Sequence, residues 1–383
     1  MPKRSSRKKT KPATPANRTM AIRGDDPART LEVQPQFTPA SLADYEAIAR
    51  KKFARPAWEY IHSASADEVT VRWNIESLTR LRLKPRVMRN VSKIDTNVTL
   101  LGHHLPHPIL VAPTSSHLLA HPEAELATAR GAGAAGAIMI ASTLSNFSID
   151  EILAAATQPV WFQLYFDDDR GKTKALIQRA EAAGCQALCI TVDLPWIYAR
   201  NREAHITREV PQLPFPNINF TGGPASTGLK TWGYRNLNWS DLDWIRGFCK
   251  LPILLKGILN PEDARLAAEN GASAIIVSNH GGRTLDTVPA SIDALPAVAE
   301  KIAGRIPILM DGGIRRGTDV LKAIASGASA VLLGRPILYG LGVGGAKGVQ
   351  NVIEILRAEL EAAMALSGVT TIRAIDRSVL WQD

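Results

Sequence analysis

A buried strand followed by chemically active side chains lies between Ala274 and Arg283. Residues 274–277 are apolar and predict a short parallel strand, and the run Ser-Asn-His-Gly-Gly-Arg follows directly. The stretch therefore delivers a titratable imidazole, that of His280, and the guanidinium of Arg283 to one strand end. The two glycines between them permit positive φ and a close approach of the backbone. A proton-transfer site and an ordinary hydrogen-bonded loop would both produce this pattern.

Polar residues also follow the other apolar runs of the chain. In a parallel barrel the functional side chains lie at the carboxyl ends of the strands, so we expect these residues to surround one site. A purely structural barrel has no need of a polar group at every strand end. The residues are Thr114, Ser115, Ser142, Gln163, Tyr165, Thr191, Asp193, Lys256, Ser278, Asp311 and Arg335.

Glycines and arginines follow the last two apolar runs. Asp311 begins the sequence Asp-Gly-Gly-Ile-Arg-Arg-Gly, and Gly334 begins Gly-Arg-Pro. Glycine amides with Arg315 and Arg335 at the last two strands of a barrel are typical of a phosphate site. Such a site suits a mononucleotide, with Asp311 accepting a hydrogen bond from a ribityl hydroxyl. Two glycine turns with surface arginines are the alternative.

Lys256 ends another apolar run, where an ammonium without a partner would be costly. Beside a flavin, it would stabilise the negative charge that develops on the reduced ring. A Schiff-base lysine and a plain salt bridge are the alternatives.

Eight short apolar runs alternate with Ala- and Glu-rich helical stretches from Pro108 onward. Eight strands with helices between them predict a closed (β/α)8 TIM barrel of the α/β class. An open doubly wound sheet is the alternative, but no Gly-x-Gly-x-x-Gly follows the first run. The runs are residues 108–113, 137–142, 160–165, 187–193, 252–257, 274–279, 307–313 and 330–335.

Three segments lie outside this rhythm. A capped helix is predicted from Thr38, and a second helical piece carries Trp58 and Tyr60. Extended segments at 80–85 and 98–101 suggest a lid or collar before the barrel. The interval 207–243, rich in Pro, Gly, Asn and Trp, predicts a lid insertion between barrel strands 4 and 5.

The formal charge of +9 is concentrated at the amino terminus. The first 30 residues hold nine Lys and Arg against two Asp, a net +7, which leaves about +2 for the rest. We therefore predict a disordered basic tail over 1–36 and one enzyme domain over 37–383. The nearly neutral body argues against specific nucleic-acid binding, whereas the tail could contact an anionic membrane surface.

Composition also bears on the compartment. The three cysteines are Cys185, Cys189 and Cys249, a sparse and odd set without metal-ligand spacing, which predicts neither a disulfide framework nor a metal site. The tail lacks an apolar core of a signal peptide, and no run of 18 apolar residues occurs. A cytoplasmic location is expected, either free or peripheral at the inner face of the membrane.

Five sequence stretches together resemble the FMN-dependent 2-hydroxy acid oxidase and dehydrogenase family, which includes lactate oxidase, glycolate oxidase and mandelate dehydrogenase. They are SNHGGRTLD, DGGIRRGTDVLKAIASGASAVLLGRP, APTSSHLLAHPEAE, FQLY and TVDLP. The resemblance covers the chain from about Phe37 to the end. It implies oxidation of an L-2-hydroxy acid, lactate-like, to the 2-oxo acid by a homotetramer. Oxygen as acceptor would give hydrogen peroxide, and a quinone or carrier protein is the alternative; a non-catalytic FMN-binding protein is less favoured.

The resemblance also implies roles for individual residues. His280 matches the catalytic base and Asp193 its partner, and Tyr165 matches the tyrosine near the substrate hydroxyl. Tyr60, Arg283 and Arg200 match the groups around the substrate carboxylate, with Arg202 a close competitor of Arg200. The FMN positions are Pro113, Thr114, Ser115, Ser142, Gln163, Thr191, Lys256, Ser278, Asp311, Gly313, Arg315, Gly334 and Arg335.

Two departures from the family matter for the substrate and the acceptor. Leu144 stands where glycolate oxidase has Trp and lactate oxidase has Tyr, which predicts a roomier, more apolar pocket for side chains larger than that of glycolate. Ser115 replaces a small Ala or Gly facing the flavin, and its hydroxyl is expected to alter reactivity toward oxygen.

Overall fold

Eight parallel strands close into a barrel in the computed structural model, which describes residues 39–206, 208–219 and 236–381. Neighbours in the barrel follow chain order, and the last strand pairs with the first. A two-stranded antiparallel hairpin precedes them. The hairpin strands are β1 (Val98–Leu100) and β2 (His103–Leu105); the barrel strands are β3 (Ile109–Val111), β4 (Met139–Ser142), β5 (Val160–Leu164), β6 (Leu188–Thr191), β7 (Ile253–Ile258), β8 (Ala274–Val277), β9 (Ile308–Met310) and β10 (Ala330–Leu333).

Helices flank the barrel strands and precede the barrel. Among the described residues, three helices lie before the hairpin, and the others follow individual strands. They are α1 (Leu42–Lys52), α2 (Arg55–His62), α3 (Val69–Arg80), α4 (Ala124–Ala134), α5 (Ile149–Ala155), α6 (Arg170–Ala183), α7 (Asn201–Ile206), α8 (Pro216–Asn219), α9 (Ser240–Arg246), α10 (Pro261–Glu269), α11 (Ser291–Ile302), α12 (Gly317–Ala325) and α13 (Arg335–Leu366). The predicted (β/α)8 barrel is thus confirmed, with a strand in each of the eight apolar runs.

The strands are apolar because both of their faces are covered. In β3, for example, Leu110 belongs to the apolar cluster of the barrel interior, whereas Ile109 and Val111 pack in the larger cluster between barrel and helices. Side chains alternate between the two faces of a strand, so a strand buried on both faces is apolar at successive positions.

The hairpin packs against the barrel interior from the amino-terminal ends of the strands. Leu100 and Leu105 join the interior cluster together with Ala274 and Ala330, the first residues of β8 and β10. The extended conformation predicted at 98–101 is confirmed for β1 (Val98–Leu100), whereas Leu101 lies in the turn with φ +48°. The predicted place of this segment as a lid or collar is wrong, because the polar strand ends lie at the opposite end of the barrel.

The amino-terminal helices position groups around the polar end. Helix α1 begins after a capping box of Ser41 and Asp44, as the sequence indicates, and packs against α13. Helix α3 lies against α11, where the side-chain amides of Asn74 and Asn279 donate hydrogen bonds to each other's oxygens at 2.9 and 2.8 Å. Asn279 precedes His280, so α3 supports the loop that follows β8.

Two predictions fall on residues that the structure does not describe. The basic tail over 1–36 lies outside the described residues, and so do Thr207 and residues 220–235 of the predicted lid. The described remainder of the insertion contains α8 and the start of α9. Among the described residues, no helix has the length and apolar character needed to cross a membrane.

Candidate active site

His280 and Asp193 form a hydrogen-bonded pair at the polar end of the barrel. His280 follows β8 in a left-handed conformation with φ +57°, and Asp193 follows β6. The Nδ1 of His280 lies 2.9 Å from Oδ1 of Asp193. Gly257 makes room for this pair, since a Cβ there would lie 2.4 Å from the Cβ of Asp193. The imidazole is thus held in one orientation by a carboxylate.

In the pair of His280 and Asp193, the negative charge lies on the Asp193 carboxylate and the imidazole is neutral. Burial lowers the pKa of His280, and the cations of Lys256 and Arg200 add to this effect, although Asp193 opposes it. Burial alone would raise the pKa of Asp193, but the interactions with His280 and then Lys256 outweigh it and leave that pKa lowered. His280 is therefore neutral and Asp193 ionised near pH 7, which is the state that a general base requires.

Tyr165 faces the other side of the imidazole. Its hydroxyl lies 3.5 Å from Nε2 of His280, at the limit of a hydrogen bond. Burial and then the Asp193 carboxylate raise the pKa of Tyr165, so the phenol keeps its proton. A group bound next to this hydroxyl and Nε2 would contact both a phenol and a base.

Two arginines and a carboxylate lie next to this pair. The Nε and Nη2 of Arg200 donate to the backbone carbonyl of Arg283 at 3.2 and 3.0 Å. The Nη2 of Arg283 donates to Glu203 at 2.5 Å, and its Nη1 donates to the carbonyls of Tyr60 and Ser63. The guanidinium of Arg283 also lies 5.4 Å from the ring centre of Tyr60. This arrangement concentrates positive charge where a small carboxylate would fit.

Arg202 lies in a different environment from Arg200. Its Nε pairs with Glu59 at 2.5 Å and its Nη1 with Glu68 at 3.2 Å. Both carboxylates belong to the region of α2 and the turn after it. The structure therefore favours Arg200 over Arg202 as the neighbour of Arg283, an alternative that the sequence left open.

Tyr60 reaches the cleft from α2. Its hydroxyl lies 2.7 Å from the hydroxyl of Ser115 and accepts a hydrogen bond from Ser116 at 3.3 Å. Ser115 follows β3, so this contact joins the amino-terminal helices to the barrel. The departure from Ala or Gly at position 115 thus gives Tyr60 a hydrogen-bond partner.

A buried ion pair lies at the ends of β7 and β9. The Nζ of Lys256 is 3.2 Å from Oδ2 of Asp311 and donates to Ser278 at 3.0 Å. Burial would lower the pKa of Lys256, but Asp311 and Asp193 outweigh burial and raise it. Lys256 is therefore a fixed cation, which excludes the neutral amine that a Schiff-base role requires.

A row of polar side chains crosses the ends of three adjacent strands. Ser142 donates to Oε1 of Gln163 at 3.1 Å, and Nε2 of Gln163 donates to Thr191 at 3.0 Å. Leu144 is half-buried next to this row, and its amide donates to Ser142 at 3.1 Å. The row fixes the orientation of the Gln163 amide.

The glycine-rich loops after β9 and β10 bring arginines together. Arg335 is half-buried at the cleft and donates to the carbonyls of Ile61, Ser63 and Gly281. Burial lowers the pKa of Arg335 to about 10, and the cations of Arg283 and Arg315 contribute. With that pKa Arg335 remains protonated at pH 7, so an anion bound among the three guanidiniums would reduce their mutual repulsion.

These groups line one cleft that is open to solvent, and the space between its walls, with the solvent at its mouth included, is about 880 Å³. Six predicted residues are outside the lining. Asp193, Arg200, Gln163, Ser278 and Leu144 form hydrogen bonds to lining residues, and Thr191 bonds Gln163. The predicted site residues in the lining are Tyr60, Pro113, Thr114, Ser115, Ser142, Tyr165, Lys256, His280, Arg283, Asp311, Gly313, Arg315, Gly334 and Arg335.

Two neighbours of the site were missed by sequence reasoning. Glu203 binds both Arg283 and Arg200, and Ser63 donates to Glu203 at 3.2 Å. The spacing of Arg200 and Glu203, three residues apart at the start of a helix, was an available signal for an ion pair. No comparable local pattern marks Ser63, which reaches the site through the packing of α2.

Comparison with known proteins supplies the decisive observation. A family model described as FMN-dependent dehydrogenase matches residues 49–382. The chain belongs to the FMN-dependent dehydrogenase family. It is 44% identical to an L-lactate oxidase of Nostoc sp., over 90% of this chain and 98% of that protein. It is 43% identical to a peroxisomal (S)-2-hydroxy-acid oxidase of Oryza sativa subsp. japonica, over 89% and 95% of the two chains.

A solved structure agrees with these sequence relatives. A mandelate oxidase superposes with a TM-score of 0.83 at 38% identity, over 89% of this chain and 98% of that one. The predicted resemblance to FMN-dependent 2-hydroxy acid oxidases and dehydrogenases is thus confirmed, and so are the (β/α)8 barrel and FMN as the cofactor.

The cleft of this FMN-dependent dehydrogenase fits its cofactor. Oδ1 of Asp311 is buried and has no hydrogen-bond partner among the described residues, which suits a ribityl hydroxyl as donor. Arg315 and Arg335, with the amides at Gly313 and Gly334, would hold the phosphate. Lys256 would lie beside the flavin ring as a cation. When bound, FMN supplies a two-electron acceptor.

Proposed function

We propose that this enzyme oxidises an L-2-hydroxy acid to the 2-oxo acid and passes the electrons from FMN to oxygen, which gives hydrogen peroxide. The observation that carries the proposal is the imidazole of His280, held by Asp193 at 2.9 Å, beside the Arg200 and Arg283 cluster. The names of the relatives support it, since they are oxidases of lactate, 2-hydroxy acids and mandelate.

Each residue of the site has a separate role in the proposed reaction. Arg283, Arg200 and Tyr60 bind the substrate carboxylate and so fix the 2-carbon relative to the base. Nε2 of His280, which Asp193 leaves free, takes a proton from the substrate, and Asp193 stabilises the imidazolium that results. Tyr165 contacts the substrate hydroxyl. Lys256 provides a positive charge that would stabilise the group that accepts the electrons.

We propose a lactate-like substrate with a side chain larger than that of glycolate. Leu144 carries no hydrogen-bonding side chain and no aromatic ring, so the pocket near Ser142 gains apolar volume. A ranking of turnover with glycolate, L-lactate and longer L-2-hydroxy acids tests this. Turnover of glycolate far above that of lactate and the longer acids would contradict it.

We also propose that the enzyme is a cytoplasmic homotetramer. The free, buried thiols of Cys185, Cys189 and Cys249 support a reducing compartment, and family resemblance supports the tetramer. Light scattering after size exclusion measures the assembly.

Sedimentation with anionic vesicles tests contact of the basic tail with a membrane surface. Binding to the vesicles would favour a membrane quinone as electron acceptor.

One experiment tests the proposed reaction and its acceptor. Under anaerobic conditions, L-lactate should bleach the yellow flavin of the purified enzyme, and air should restore the colour with release of hydrogen peroxide. His280→Ala should keep the colour while losing at least a hundredfold in reduction rate, as expected for a lost general base. Reduction at the wild-type rate would remove His280 from that role. If a quinone reoxidises the flavin rapidly and oxygen reoxidises it only slowly, the enzyme is a dehydrogenase.

A further inference from the structure

Glu203 is a buried carboxylate that binds both arginines of the proposed carboxylate site. It is 7% exposed and lies on the short helix α7. Oε1 accepts hydrogen bonds from Nη2 of Arg283 at 2.5 Å and from Ser63 at 3.2 Å. Oε2 lies 3.4 Å from Nη1 of Arg200. Both of its oxygens are thus committed to the cluster.

Glu203 determines which edge of the Arg283 guanidinium stays available. Nη1 of Arg283 is used by the carbonyls of Tyr60 and Ser63, and Nη2 donates once to Glu203. Within the described part of the chain, Nε of Arg283 makes no hydrogen bond. Nε and the second hydrogen of Nη2 are therefore the donors of Arg283 that remain for a substrate carboxylate.

Glu203 also sets the charge of the cluster. Arg200 and Arg283 repel each other, and this repulsion, after burial, lowers the pKa of Arg200. Burial would raise the pKa of Glu203, but Arg283 and Arg200 outweigh it and hold that pKa below its usual value. The cluster of two guanidiniums and one ionised carboxylate thus has a net charge of +1, which one carboxylate neutralises.

We propose that Glu203 is a positioning and specificity-determining residue, which orients Arg283 and restricts the site to substrates with a single carboxylate. The proposal rests on the proposed function, because it takes Arg283 and Arg200 to be the groups that bind the substrate carboxylate. A second carboxylate on the ligand would meet the negative charge of Glu203, because the neighbouring cations Arg315 and Arg335 are assigned to the FMN phosphate in the loaded enzyme.

The variant Glu203→Gln separates charge from shape. Glutamine retains an oxygen that accepts from Arg283 and Ser63, but the cluster charge becomes +2. A dianion gains twice the electrostatic benefit of a monoanion, so the variant should favour dianions. At about 6 Å and an effective dielectric constant of about 20, one unit charge changes affinity by about ten- to a hundredfold. Glu203→Asp keeps the charge and should retain the selectivity of the wild type.

The probes are propionate, a monoanion, and malonate, a dianion of similar size. Their dissociation constants are measured on the FMN-loaded enzyme from the change in the flavin absorption spectrum, at fixed ionic strength. We expect Glu203→Gln to shift the ratio of the two constants toward malonate by at least tenfold. Glu59→Gln is the matched control, since Glu59 is likewise paired with an arginine, Arg202, but lies outside the cluster; its ratio should equal that of the wild type.

The outcomes separate this proposal from the proposed function. An unchanged ratio of the two dissociation constants in Glu203→Gln would overturn the role in specificity. The same conclusion would follow if Glu203→Gln and Glu203→Asp both weakened the two anions equally and lowered the melting temperature. If L-lactate and other 2-hydroxy acids fail to bleach the wild-type flavin, the proposed function fails, whereas the anion ratio still reports on Glu203. The same comparison can be made with L-malate and L-lactate. If Glu203→Gln shifts the ratio of their dissociation constants toward L-malate but leaves the ratio of their limiting rates of flavin reduction unchanged, selection occurs at the binding step.

Discussion

His280 has to be neutral before it can take a proton, and its surroundings keep it neutral. Burial, Lys256 and Arg200 lower its pKa below the usual value of about 6.5, while Asp193 raises it. Protonation abolishes a general base, so kcat/KM should stay constant down to a pH below 6.5 and fall as the pH drops through the lowered pKa. The pH dependence of kcat/KM for L-lactate measures this limb.

Replacement of Asp193 by asparagine should move this acidic limb, the fall of kcat/KM at low pH, to still lower pH. The variant Asp193→Asn removes the carboxylate that raises the pKa of His280, so the imidazole stays neutral at still lower pH. It also removes the charge that stabilises the imidazolium, and the maximal rate should fall by about 10²–10⁴-fold. Asp168→Asn, an exposed carboxylate after β5, is the control. A limb that moves toward higher pH would contradict the assignment of the pair.

Arg200 and Arg202 are two residues apart in sequence but differ in their partners. Arg200→Lys keeps the charge but loses the planar donors that hold the carbonyl of Arg283, so propionate and L-lactate should bind about tenfold or more weakly. Arg202→Lys alters contacts with Glu59 and Glu68 and should leave that affinity within about twofold of wild type. Flavin spectral titration measures both. The reverse order would assign the substrate carboxylate to Arg202.

At the scale of elements, the loop after β8 depends on its contact with α3. A Cβ at Gly282 would lie 2.8 Å from the backbone nitrogen of Val71 and 3.1 Å from its Cα, and the φ of Gly282 is +75°. Gly282→Ala therefore combines backbone strain with displacement of the loop that carries His280 and Arg283. Thermal unfolding and the rate of flavin reduction measure the two consequences.

Gly304 provides a matched control for the strain. It has the same φ of +75° but open space around its Cβ position, at an exposed turn after α11. Gly304→Ala should cost about 1–2 kcal/mol of unfolding free energy and leave flavin reduction unchanged. Gly282→Ala should cost about 1–3 kcal/mol more and slow the reduction at least tenfold. Equal effects of the two variants would show that the contact with α3 is unimportant.

At the scale of the whole molecule, FMN should link the ends of many barrel strands. A ligand that binds the folded state at a hundred times its dissociation constant adds about 2.7 kcal/mol to stability. FMN should therefore raise the melting temperature of the flavin-free protein. Riboflavin, which lacks the phosphate, should raise it less at the same concentration, because Arg315 and Arg335 then lack their anion. Equal shifts would argue against a phosphate site at β9 and β10.

The barrel itself could be predicted because its strands are marked locally. The runs around Ile109, Leu254 and Ile276 are apolar on both faces, and this pattern arises when a parallel strand is covered on both sides. Helix ends were similarly visible, for example at Gly184, where φ is +105°. The extended segment at 98–101 was assigned to a lid or collar, whereas it forms one strand of a hairpin at the other end of the barrel, because nothing in its sequence tells which end it covers.

The sequence by itself determined the fold class, the family and the residues gathered at the strand ends, because strand periodicity and short motifs are local properties. Tertiary structure decided which of Arg200 and Arg202 joins Arg283, that Ser115 bonds Tyr60, and that Glu203 balances the arginines. These are contacts across distant parts of the chain, and they depend on how α2, α7 and the loop after β8 pack. Spacing along the chain carries no record of such distances, because packing between elements sets them.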